Sequence, residues 1–205
     1  GEGRAPERAV TIAEIESLPM AEVVGVMMRE SDNLGAELLV KELGARFGGA
    51  GTTAAGLGVV RSAAADLGLP PDALSLSDGS GLDRRNRLSC GLVHGLLAGA
   101  SPDSPLAAGL PVAGTSGTLV RRFLGTPAVG RVRAKTGSLN GVAALAGFAT
   151  GADGRSFGFA MLANDLPSES AGMALQDRLA TALTSYPDAP AAADLGPLPV
   201  RPPPA

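Results

Sequence analysis

The chain has 205 residues, 45% of them hydrophobic and 18% charged, which is the balance of a globular protein of about one domain. A formal net charge of −3 and an aromatic content of 3% with no Trp supply neither the positive excess nor the stacking platforms of a nucleic-acid binder. A single cysteine, Cys90, and a single histidine, His94, exclude an intrachain disulfide and a Cys-based zinc knuckle.

In chain order, residues 10–15 alternate with β-branched character and read as a short strand. Pro19 opens a helix that runs to Arg29. Ser31-Asp32-Asn33 interrupts it, and Leu34, Leu38, Leu39 and Leu43 mark a second helix by their spacing. Beyond Gly48-Gly49-Ala50-Gly51, residues 53–67 read as a third helix, apolar on most sides and so expected to be buried. Residues 73–82 read as a strand entering a glycine turn, and residues 86–98 as a helix carrying Cys90 and His94. Residues 101–118 are loop-rich. Residues 132–139 and 142–150 form a hairpin across Asn140-Gly141, since both turn residues tolerate positive φ. A second turn at 151–154 leads to a third strand at 156–163, and residues 173–184 close with a helix. From Pro187 to the end, 7 of 19 residues are proline, so 187–205 reads as a Pro/Ala-rich tail. A helical block, an antiparallel meander and a closing helix predict an α+β layer structure. No apolar run reaches the ~18 residues of a membrane span. The start at Gly1-Glu2-Gly3, without Met, reads as a piece of a longer chain.

Two tripeptides carry the chemistry: Ser31-Asp32-Asn33 and Lys135-Thr136-Gly137. From composition, S-x-N is expected by chance about 0.3 times and K-T-G only about 0.014 times, so the second is far more specific. Ser138-Leu139-Asn140 is indeed a second S-x-N, at the hairpin turn. The bland reading of Ser31-Asp32-Asn33 is a helix N-cap; that of Lys135-Thr136-Gly137 is a strand end with a solvated lysine. His94, among Leu92, Val93, Leu96 and Leu97, reads as a satisfied structural histidine, and Cys90 as a small buried hydrophobe. Gly49-Ala50-Gly51-Thr52-Thr53-Ala54 has the letters of a dinucleotide fingerprint but follows a helix instead of a strand. Asp78-Gly79-Ser80-Gly81 reads as a tight turn, with no base beside its serine.

Four ordered segments extend the two tripeptides: MMRESDNLGAELLVKELG (27–44), LSDGSGLDRRNRLS (76–89), LPVAGTSGTL (110–119) and RAKTGSLNGVAALAGFA (133–149). With them the chain resembles the penicillin-recognising serine acyl-transferases. Within that group it resembles the D-alanyl-D-alanine carboxypeptidase/endopeptidase family, the class C penicillin-binding proteins of low molecular mass. The resemblance implies a serine β-lactamase/transpeptidase-like fold, an antiparallel sheet flanked by helices plus a helical subdomain. Residues 1–186 would be the C-terminal half of that catalytic domain. It implies cleavage of peptidoglycan stem peptides ending in D-Ala-D-Ala through an acyl-serine, outside the cytoplasm, with β-lactams as inhibitors and no cofactor or metal.

The resemblance gives Ser31 a proton relay to the leaving nitrogen, Asn33 the substrate carbonyl and the upstream lysine, and Lys135 the terminal carboxylate. Thr136 and Ser138 offer hydroxyls to that carboxylate, Gly137 lets an extended substrate lie on the strand, and the Ser138 N–H is an oxyanion donor. Asp32 braces the turn. One departure is large. Leu38 stands three residues before Lys41 and Val132 three before Lys135, so neither lysine completes S-x-x-K. The nucleophile and its lysine are expected from the upstream half of the same polypeptide. No glutamate lies between Glu42 and Glu169, so the deacylating glutamate of class A β-lactamases is missing and a penicillin target is expected. The alternative is a non-catalytic cell-wall-peptide-binding module of the same fold.

Overall fold

In the computed structural model, which describes Gly3, Val10 and residues 12–188, the chain turns helical directly after Pro19. Helix α1 (Met20–Glu30) ends at Ser31, and α2 (Asn33–Phe47) begins two residues later with Asp32 as its cap. Helix α3 (Thr53–Asp66) folds back on α2. At Gly56 a Cβ would stand 1.8 Å from the Val40 carbonyl oxygen, so only glycine permits this crossing. Strands β1 (Leu74–Ser75) and β2 (Arg87–Leu88) form a two-residue antiparallel pair. Helix α4 (Cys90–Gly99) and the one-turn α5 (Pro105–Ala108) follow. Then come the meander strands β3 (Val132–Leu139), β4 (Val142–Thr150) and β5 (Ser156–Ala163), and helix α6 (Glu169–Thr184).

The meander matches its sequence pattern. The Asn140-Gly141 turn, with Gly141 at φ 75°, sets the register Leu139↔Val142 through Val132↔Ala149. One face of the sheet packs on α6 through Leu119, Val132, Leu145, Ala149, Phe159 and Ala180. The other face packs Phe148 against Leu97, Ala107 and Leu110, with Met28 of α1 at the margin. The antiparallel sheet is thus covered by helices on both faces, the α+β arrangement expected.

Several boundaries differ from the expected ones. Residues 12–19 form no strand: they have no pairing partner among the described residues, and Ile12 and Ile15 are 98% and 95% exposed. Thr11 lies outside the described residues. Helix α3 is not buried: only Gly56 and Leu57 are, because α2 covers one side and Ala63 and Ala65 face solvent. The helix expected from residue 86 starts at Cys90, where Ser89 caps it, because Arg87 and Leu88 are drawn into pairing with Ser75 and Leu74. Helix α6 starts four residues early for a similar reason: the Ser168 hydroxyl accepts from the Ala171 N–H. Of the proline-rich tail, residues 189–205 lie outside the described residues.

Strand β3 lies at one edge of the sheet order β3-β4-β5. Its base is covered: Ala134 N–H donates to the Pro111 carbonyl (2.9 Å) and Ala113 N–H to the Val132 carbonyl (2.9 Å). From Lys135 to Leu139 the outer edge has no strand partner among the described residues.

Candidate active site

The two tripeptides, about a hundred residues apart in sequence, meet at this open stretch. Ser31 ends α1 in the left-handed region at φ 58°, ψ 47°, a conformation that costs a non-glycine residue about 1 kcal/mol or more. Its N–H bonds the Met27 carbonyl, which closes α1 and aims the hydroxyl at the sheet. Lys135 Nζ donates to Ser31 Oγ at 2.6 Å and to the Thr136 carbonyl at 2.9 Å. Because the ammonium is the donor, Ser31 keeps its own proton for another partner. Burial pulls the Lys135 ammonium below the ordinary lysine range.

Asp32 takes the capping role: its carboxylate accepts from the Gly35 N–H at 3.1 Å. The Ser31 hydroxyl therefore takes no part in capping α2. Asn33 is the exposed first residue of α2 and hydrogen-bonds neither Ser31 nor Lys135. Thr136 Oγ1 donates to Thr118 Oγ1 at 2.9 Å, Gly137 is exposed, and Ser138 Oγ donates to Glu169 Oε1 at 2.5 Å. Since the Ala134 N–H points to the outer edge, strand alternation points the Thr136 and Ser138 N–H groups there too.

Sequence reasoning missed Thr118 and Glu169. Thr118 sits in the 110–119 segment and is delivered by Gly117, where a Cβ would stand 2.4 Å from the Arg29 carbonyl oxygen. That close approach packs the 117–119 turn on the end of α1, beside Ser31. Glu169 carries no signal in the sequence, since it lies ahead of the 173–184 stretch that reads as helix.

A second polar assembly flanks the site. Asp78 accepts from the N–H groups of Gly81 (2.9 Å) and Asp83 (2.6 Å) and from Asn86 Nδ2 (2.7 Å). Burial acts to raise its pKa, but the hydrogen bonds from Asn86, Asp83, Gly81 and Ser80 outweigh it and leave the carboxyl below its usual range. Arg85, through its side chain and its N–H, holds Asp83 down at about 2. Glu37 accepts from the N–H groups of Gly79 (3.0 Å) and Ser80 (2.9 Å), and Arg84 reaches the Asn140 carbonyl of the hairpin. Ser80 therefore belongs to a self-capped turn. The Gly49–Ala54 stretch is the α2–α3 connection, with Thr52 capping α3.

The two single-copy residues are not where their sequence setting put them. His94 and Cys90 are both exposed, since α4 buries only Leu92 and Leu97, with Val93 packed partly beside them. Among the described residues no group of three His, Cys, Asp or Glu could hold a metal ion, and no helix is long and apolar enough to cross a membrane.

The profile of the D-Ala-D-Ala carboxypeptidase 3 (S13) family matches residues 1–186. A D-alanyl-D-alanine carboxypeptidase of Actinomadura sp. (strain R39) is 41% identical over 186 residues, covering 87% of this chain and 34% of that protein. Carboxypeptidase DacB of Mycolicibacterium smegmatis is 37% identical, covering 85% of this chain and 40% of the other. The chain thus spans little more than a third of the length of these relatives. Penicillin binding protein 4 (dacB) from Haemophilus influenzae superposes with a TM-score of 0.68 at 31% identity, over 73% of this chain and 34% of that one.

Proposed function

The chain belongs to the D-Ala-D-Ala carboxypeptidase 3 (S13) family, and from that premise we propose that it contributes one side of the active site of a serine-type DD-peptidase. Residues 1–186 are read as the C-terminal half of its catalytic domain. The substrate is a peptidoglycan stem peptide ending in D-Ala-D-Ala. A serine from the upstream half of the polypeptide attacks the penultimate D-Ala carbonyl, its proton passing to the lysine of the same S-x-x-K. The peptide C–N bond breaks, terminal D-alanine leaves, and water later opens the acyl-serine. Because peptidoglycan lies outside the cytoplasmic membrane, so does this activity.

The observation that carries this reading is the 2.6 Å contact of Lys135 Nζ with Ser31 Oγ beside an unpaired strand edge. Ser31, with its own proton free, gives that proton to the leaving nitrogen and takes in its place the one the upstream lysine received from the nucleophile, so it relays a proton and ends as a neutral hydroxyl. Lys135 is the fixed positive charge for the terminal carboxylate, and Thr136 and Ser138 add hydroxyl donors. Gly137 leaves room for the substrate backbone, and the outward Ser138 N–H stabilises the oxyanion. Asn33 turns to the substrate carbonyl and the upstream lysine once that half is in place. β-Lactams carry the same carboxylate beside a strained amide; a β-lactam complex is described for the Haemophilus influenzae protein, and acylation of this enzyme is expected.

The test is to label the intact polypeptide with fluorescent penicillin and map the adduct by peptide mass spectrometry. The label is expected on a serine outside residues 1–205. An adduct on a serine within them, or no adduct, overturns the assignment; the latter would favour a cell-wall-peptide-binding module of the same fold.

A further inference from the structure

Both hydroxyls offered to the substrate carboxylate are already donating to protein acceptors: Thr136 to the Thr118 hydroxyl and Ser138 to the Glu169 carboxylate. The second case differs in kind, because the acceptor is itself a carboxylate. A serine hydroxyl has one proton, so Ser138 Oγ cannot donate to Glu169 and to a substrate carboxylate at once. We propose that Glu169 is an internal competitor for the carboxylate site, a positioning residue that holds the Ser138 hydroxyl until a substrate carboxylate displaces it. The inference rests on the reading of Ser138 given above.

The placement is built in at several points. Glu169 is the first residue of α6, and the Ser168 cap fixes where that helix begins. The segment before it is tied to the hairpin by the Leu166 N–H on the Gly141 carbonyl, 3.0 Å. One turn on, at Gly172, a Cβ would stand 2.7 Å from the Ala143 Cβ, so the helix start is seated directly on the sheet. The backbone of Glu169 is therefore anchored, while its exposed side chain is free to rotate away from Ser138. Its position in the first turn also favours a carboxylate there when Ser138 is surrendered. The competition weakens binding of every ligand with a terminal carboxylate and leaves the acylation chemistry untouched.

In the intact enzyme, Glu169→Ala should lower KM for a D-Ala-D-Ala peptide about three- to tenfold with kcat nearly constant, the pattern of a change in uniform binding. Glu169→Gln, which keeps an acceptor but loses the charge, should fall between wild type and Glu169→Ala and guards against a folding defect at the helix start. Ser138→Ala should raise KM, and in that background Glu169→Ala should have no further effect. An unchanged or raised KM in both Glu169 variants, with Ser138→Ala still raising it, overturns the competition alone. If Ser138→Ala leaves KM unchanged, the carboxylate role of Ser138 is wrong and the inference falls with it.

Discussion

Lys135 is held half-buried between α1 and β3, and that burial has opposite consequences for activity and stability. Replacing it with methionine should cut acylation by penicillin and by D-Ala-D-Ala peptide ~10–150-fold, the value of one charge-assisted contact of roughly 1.5–3 kcal/mol. The same substitution should not lower the thermal midpoint, because folding depresses the lysine pKa and so works against its charged form. Such a group costs stability below its folded pKa, and the cost vanishes as pH rises towards 10.5; the stability gap between variant and wild type should close over that range. The neighbouring serine and aspartate separate cleanly. Ser31→Ala should slow turnover with little loss of stability, whereas Asp32→Ala should cost about 1 kcal/mol of unfolding free energy in a denaturant melt, because Asp32 is the α2 cap. At this scale the sequence was most legible where a motif was rare. Lys135-Thr136-Gly137 marked the stretch of β3 that Ser31 meets, but nothing local marked Glu169 or Thr118, whose partners come from distant segments. His94 and Cys90 were misplaced because four apolar neighbours look like a buried helix even when only two of them, Leu92 and Leu97, are buried.

Elements whose geometry is set by short-range chemistry were read almost to the residue. The β3–β4–β5 meander is one: Asn140-Gly141 dictates the turn, and alternation then dictates the faces. Elements set by partners were not, as with β2 forming inside an expected helix and the expected first strand failing to form without a neighbour. The 78–86 loop shows a third case, a segment held by its own carboxylates. Both Asp78 and Asp83 have folded pKa values below the ordinary 3.8, so their contribution is present above that value and is lost as pH falls. Amide exchange at Gly81, Asp83 and Arg85 should therefore accelerate as pH is lowered from about 4 to about 2, after correction for the intrinsic rate. Since Arg84 ties this loop to Asn140, the β3–β4 turn should loosen over the same interval while the centre of β4 stays protected. Uniform loss of protection in loop and sheet together would show that the loop has no separate role.

On the scale of the molecule, the described residues expose apolar surface where a domain would normally bury it. Helix α1 contains no buried residue, Leu34 and Leu38 of α2 are 68% and 55% exposed, and among the described residues the outer edge of β5 and that of β3 beyond Ala134 have no strand partner. Expressed alone, the 205 residues should self-associate and bind a hydrophobic dye, as seen by light scattering and fluorescence; co-expression with the upstream half proposed above should suppress both. A monodisperse, dye-silent monomer would contradict this. No local pattern in the sequence distinguishes a helix face that packs on a partner from one facing water, so the exposure of α1 and α2 was not legible there. The partly covered edge of β3 has a consequence for what can lie there. Pro111–Ala113 already occupies the edge beside residues 132–134, and the hairpin turn ends it at Asn140. Five residues remain, a berth of about 17 Å. An extended chain that docks there finds ladder groups over those five residues only, with Pro111–Ala113 closing one end, so a longer ligand continues unpaired beyond the turn or leaves the sheet at Pro111–Ala113. The length of chain that can pair with β3 is thus set by the scaffold, ahead of any side chain that reads the ligand.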